Sequence, residues 1–249
     1  MHKYFASLLL LVTFNALAKD YRLQSPDKHI EILVSTGDKV TWSVAYDGNF
    51  LLKPGEIGMV LSTGAIPVAG AQAQEKRTSK DEMITAVVPV KSRNVHATYN
   101  ELALTFKGNY IIRFRAYNEG AAYRFETSFK EPKVQVKSET CNYNFSDNFK
   151  VFWPIETDTA FQSHFENLYK DSVIAAFSAR QHGNMPMLLT APSGTRVLIS
   201  EADLYDYPNM FLYGTSGNGV TAGFPKVIKS MTPRGDRGNR ITALEDFIA

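Results

Sequence analysis

Runs that alternate apolar and polar residues recur from His29 almost to the end of the chain, and no other feature constrains the fold as strongly. Ile30, Ile32 and Val34 share one face of 29–36, and Trp42 and Val44 share one face of 40–46. Ile112, Phe114 and Ala116 alternate with Arg113 and Arg115. Tyr123 and Phe125 alternate with Arg124 and Glu126. Successive strand side chains point to opposite faces, so a period of two marks sheets with one buried and one solvated face.

Further strands are expected at 50–52, 57–62, 83–90, 101–106, 110–117 and 122–129, then at 134–136, 143–145, 151–153, 187–190 and 196–200. Gly37-Asp38 and Asp47-Gly48 supply hairpin turns. The polar, alanine-rich span 65–81 reads as a long surface loop. Ile241, Leu244, Phe247 and Ile248 fit either a helix face or a last strand. No internal repeat occurs. The expected architecture is all-β, a large two-sheet β-supersandwich occupying 19–249 as one domain.

The N-terminus reads as an export signal over residues 1–18. Lys3 leads, 8–12 is apolar, and Ala16-Leu-Ala18 is a small-residue cleavage site. Export, with a periplasmic destination, is the expected localisation. No segment is long and apolar enough to span a bilayer. A net charge of +2 supplies no field that argues for nucleic acid or an anionic membrane surface. Cys141 is the only cysteine, so no internal disulfide can form, and it reads as a small core hydrophobe. Asn144-Phe-Ser146 is a glycosylation sequon.

Nucleophile-elbow, zinc-ligand and dinucleotide-binding patterns are absent from the sequence. Two stretches carry chemistry. In 151–169, Phe152, Trp153 and Tyr169 mix with acids and an imidazole. Sugar rings offer C–H faces for stacking and hydroxyls for carboxylates, which makes His164 and Glu166 candidate substrate contacts. Phe152 and Trp153 continue a strand, where such residues are more often core, and His164 also suits a loop brace. In 196–212 an apolar strand runs into Glu201, Asp203 and Asp206. Carboxylates gathered at a strand end suit calcium. The alternatives are a solvated loop, or one helical turn capped by Ser200 and Asp203.

Taken together, 23–27 (Leu-Gln-Ser-Pro-Asp), 44–48 (Val-Ala-Tyr-Asp-Gly), 117–125 (Tyr-Asn-Glu-Gly-Ala-Ala-Tyr-Arg-Phe), 163–166 (Ser-His-Phe-Glu), 200–204 (Ser-Glu-Ala-Asp-Leu) and Tyr207-Pro208 resemble, in order, the N-terminal domain of glycoside hydrolase family 97. That family comprises exported bacterial α-glucosidases and α-galactosidases. The resemblance implies a mutarotase-like supersandwich packed on a (β/α)₈ barrel that carries the catalytic carboxylates. It also implies an active-site calcium ligated from both domains, with Glu201 as this chain's ligand and an oligosaccharide as substrate. Hydrolysis needs two carboxyl groups flanking the scissile bond. The chain stops where the barrel would begin, so it is expected to be truncated and inactive alone. The alternatives are a free-standing carbohydrate-binding sandwich and a non-enzymatic exported interaction module. Sugar identity and stereochemical outcome would be set by the barrel.

Overall fold

The computed structural model describes residues 18–249, apart from Thr159, Ala160, Gln162, Asp236 and Arg237. The expected leader, save Ala18, lies outside the described residues. The chain is all-β, with one short 3₁₀ turn, Ile174–Ala176, and no α-helix among the described residues. Five strands come first: β1 (Lys19–Gln24), β2 (Ile30–Thr36), β3 (Val40–Tyr46), β4 (Asn49–Leu61) and β5 (Gly64–Ile66). Then follow β6 (Ala73–Thr85), β7 (Asn94–Phe106), β8 (Tyr110–Tyr117), β9 (Ala121–Thr127) and β10 (Val136–Phe145). The second half holds β11 (Lys150–Glu156), β12 (Tyr169–Val173), β13 (His182–Gly183), β14 (Met187–Thr190) and β15 (Arg196–Ile199). It ends with β16 (Phe211–Gly214), β17 (Gly219–Gly223), β18 (Ile228–Pro233) and β19 (Asn239–Leu244).

One large antiparallel sheet runs β1-β2-β3-β4-β10-β17-β16-β13-β11-β14-β15, with β5 on β4 and β12 on β11. A second sheet has the order β6-β7-β8-β9, and β18-β19 form a separate hairpin. Alternation decides which side of each strand is buried. Ile112, Phe114 and Ala116 of β8 are fully buried, as is Ile32 of β2. Burying a side chain of this size stabilises by roughly 1.5–3 kcal/mol. The two sheets meet through these faces, with Trp42 of β3 edge-on to Tyr123 of β9 at 5.1 Å between ring centres. On the outer face Arg113 donates to Glu101 (2.5 Å) and Glu126 (2.7 Å), and Arg115 donates to Glu101 (2.8 Å). Asp47 and Gly48 both take positive φ (49° and 76°), as the tight β3–β4 hairpin requires.

Several expectations change. Most of the loop expected at 65–81 is strand β6, paired residue for residue with β7 from Ala73↔Phe106 to Thr85↔Asn94. β6 is an edge strand exposed along most of its length, so it shows no apolar alternation. Its ladder to β7 forms it instead. The strand expected at 83–90 ends at Thr85. Segments 50–52 and 57–62 are one strand, β4, bent where its pairing with β3 shifts register. The terminal alternative resolves as strand β19.

Candidate functional site

Glu201 follows the last residue of β15 by two positions and opens a non-helical loop that ends at Met210. Asp203 takes φ +59°, which rules out a helical turn started by Ser200. Both Glu201 oxygens lie 3.1 Å from the Met210 N–H, so the carboxylate closes the loop on itself. Asp203 Oδ2 lies 3.8 Å from Arg124 on β9, tying the loop to the second sheet. Tyr207 Oη donates to Glu139 Oε2 on β10 at 2.6 Å and sets its ring edge-on to Phe224.

These groups line a cavity of about 1670 Å³ that also borders Tyr123, Tyr143 and Met210. Burial raises the carboxyl pKa of Glu139 above its ordinary value; the Tyr207 donation opposes this and the Glu201 charge adds to it. Glu201 is likewise raised by burial, against the Met210 N–H. Burial pushes the Cys141 thiol up to about 11 despite donation from Tyr123 and Tyr143. Cys141 is therefore an inert core group, as its small size and strand position suggest.

His164 and Glu166 lie outside the lining of this cavity. The loop that follows β11 carries them, and both side chains are exposed. Its anchor is Glu156, the last residue of β11, only 4% exposed. Ser163 Oγ (2.6 Å) and Asn167 Nδ2 (2.9 Å) donate to Glu156 Oε2, and Asn184 Nδ2 donates to Oε1 at 3.0 Å. Ser163 and Asn167 thus tie both sides of the His164–Glu166 tip to Glu156, and Asn184 holds the other oxygen of that carboxylate. Beneath it, His182 of β13 is buried, stacked on Tyr213 at 4.9 Å and edge-on to Phe161. Trp153 is core, whereas Phe152 is 47% exposed and stacks on Tyr169 at 4.9 Å. That pair presents aromatic surface of the kind sugars pack on.

The two loops meet at Phe211. Its ring lies 4.5 Å from Phe161 and 5.6 Å from Phe165, while Met210, one residue before it, holds Glu201. The sequence reading missed Glu139 and Glu156. An acid in the apolar register of β10, beside Cys141, Tyr143 and Phe145, was the available signal for Glu139. Nothing local marks Glu156, because its donors come from two later segments.

Calcium takes about six to eight oxygens. Among the described residues no group of three or more acidic, histidine or cysteine side chains could hold a metal ion. A calcium site here would therefore need oxygens from outside the described residues.

The family described as Glycosyl-hydrolase 97 N-terminal matches residues 23–235. The chain belongs to that family. This family 97 domain is 30% identical, over 235 residues, to a retaining alpha-galactosidase of Bacteroides thetaiotaomicron, covering 89% of this chain and 35% of that protein. Its fold matches a glycoside hydrolase family 97 enzyme from Pseudoalteromonas sp. strain K8, solved with acarbose, at a TM-score of 0.69 and 19% identity. It matches a beta-arabinopyranosidase at 0.75 and 24%. Those matches cover 82% and 83% of this chain but 32% and 36% of the others. The family 97 domain thus spans about a third of the length of the relatives it matches.

Proposed function

We propose that this chain is the carbohydrate-facing N-terminal domain of an exported, calcium-dependent α-glycosidase of family 97, working in the periplasm with a (β/α)₈ barrel that carries the catalytic carboxylates. Its substrate class is an oligosaccharide. The observation that supports this most is the clamped loop after β11, where buried Glu156 fixes Ser163 and Asn167 on either side of exposed His164 and Glu166. A loop so fixed loses little further freedom when a sugar hydroxyl meets it. His164 and Glu166 are the side chains assigned to that contact, and the Phe152–Tyr169 pair offers stacking surface nearby.

The calcium ligand follows the family resemblance to Glu201. When bound, calcium supplies a fixed divalent charge that orients sugar and carboxylate oxygens. One observation favours a second assignment. Glu201 is half-buried with both oxygens on the Met210 N–H, whereas Glu166 is exposed and can meet an ion from a partner domain without rearranging its loop.

Glu201→Gln and Glu166→Gln, each in the full-length enzyme, test both readings through the calcium concentration giving half-maximal glycoside hydrolysis. The variant of the true ligand needs at least tenfold more calcium while its β-sheet circular dichroism is unchanged. Unaltered calcium dependence in both variants would refute the metal assignment. Calorimetry of this chain with maltose- and galactose-type sugars tests the sugar contact separately, and absence of heat at millimolar sugar counts against it.

A further inference from the structure

The β6–β7 hairpin extends past the sheet that holds it. β8 pairs with β7 only from Tyr99 to Phe106, yet β6 and β7 remain paired out to Thr85 and Asn94. Among the described residues the outer five pairs, Asp81↔Thr98 to Thr85↔Asn94, have no third strand beside them. At ~3.4 Å per residue they form an arm about 17 Å long. Its tip is apolar and exposed among the described residues of this chain: Val87 is 98% exposed, Val88 75% and Val90 90%, with Pro89 between Val88 and Val90. Met83, Ile84 and Val95 are exposed just behind. Single exposed apolar residues are ordinary, but six within 83–95 at the end of an arm mark a contact surface.

The charges beside the tip indicate the partner. Segment 83–95 contains Lys91 and Arg93 and no acid. A stable protein interface removes about 800 Å² from each partner, which calls for breadth that a fingertip lacks. A lipid surface needs no breadth. It takes an apolar tip to the acyl boundary while bases behind it sit among anionic headgroups. We propose that this hairpin tip inserts into the surface of an anionic lipid bilayer. The attraction is local, because the whole-chain charge of +2 supplies none at a distance.

Vesicle flotation tests this with residues 19–249, free of the apolar leader that would bind vesicles by itself, comparing phosphatidylglycerol-containing with pure phosphatidylcholine vesicles. The chain should rise with the anionic vesicles and bind the neutral ones at least tenfold more weakly. The double change Val88→Asp with Val90→Asp should reduce anionic-vesicle binding at least tenfold at unchanged melting temperature. If that variant misfolds, Lys91→Glu with Arg93→Glu makes the same test through the charges. Three results would overturn the proposal: no flotation with anionic vesicles, wild-type flotation by the folded variants, or self-association in sedimentation velocity that the valine changes abolish. The last would assign the tip to a second copy of the chain.

Discussion

Tyr207 donates its phenolic hydrogen to Glu139 at 2.6 Å, joining the loop between β15 and β16 to strand β10 across 68 positions of sequence. Glu139 is a largely buried carboxylate whose charge is disfavoured by burial and by nearby Glu201. The Tyr207 hydroxyl is the side-chain donor that offsets part of this cost. Tyr207→Phe leaves a buried acceptor without it and should destabilise the chain by about 1–3 kcal/mol. Urea unfolding at neutral pH measures the loss.

The same carboxyl makes a pH prediction with a definite sign. Its pKa is raised on folding, so the folded state holds the proton more tightly than the unfolded state. Its contribution to stability is favourable at acid pH and declines as pH rises from the ordinary value of 4.5 through the folded value. Glu139→Gln keeps an acceptor for Tyr207 and removes the titration. The stability of this variant relative to the parent should therefore rise between acid and neutral pH. A flat difference across that range would contradict the burial argument.

On the outer face the sign reverses. Hydrogen bonds from Arg113 lead in holding Glu126 down to about 2, with Arg124 adding to them. This contribution is present above the ordinary 4.5 and is lost as pH falls toward 2. Arg113→Ala leaves Glu101 with Arg115 and Glu126 with Arg124, and should cost about 1–3 kcal/mol at neutral pH. The gap between variant and parent should close on acidification, as followed by thermal melts.

Glu156→Ala removes the acceptor shared by Ser163, Asn167 and Asn184. The expected cost is roughly 1–3 kcal/mol. More specifically, limited proteolysis should cut within 157–168 well before the parent is cleaved. Glu156→Gln, which keeps one acceptor oxygen, should be cut at an intermediate rate.

Gly183 of β13 is packed against β11 so closely that an added Cβ would lie 2.2 Å from the Pro154 carbonyl and 2.7 Å from the Trp153 ring. Gly183→Ala should cost about 1–3 kcal/mol through overpacking and lower the melting temperature. Gly194→Ala, with open space around its Cβ but φ +88°, reports backbone strain alone and serves as the comparison.

Legibility in the sequence followed burial contrast. Strand β8 is legible from Tyr110 to Tyr117 because its two faces differ in kind, apolar inside and arginine outside. Strand β6 is illegible because it lacks that contrast; its hydrogen-bond ladder to β7 builds it. β13 is a two-residue link between β11 and β16 and carries no period at all. The candidate contacts His164, Glu166 and Glu201 sit on loops beside the sheet. Their differing exposure could not be read from the chain.

By itself the sequence determined the fold class, the inward face of most strands and the family, because alternation and ordered motifs are properties of neighbouring residues. Only the tertiary structure decided that Glu139 and Glu156 are buried anchors, that Glu201 closes its own loop, and that Glu166 stands exposed. A carboxylate's environment is set by donors such as Tyr207, Asn184 and Arg113, brought to it by strand pairing and loop closure. Those distances are fixed by packing, and local pattern carries no record of them.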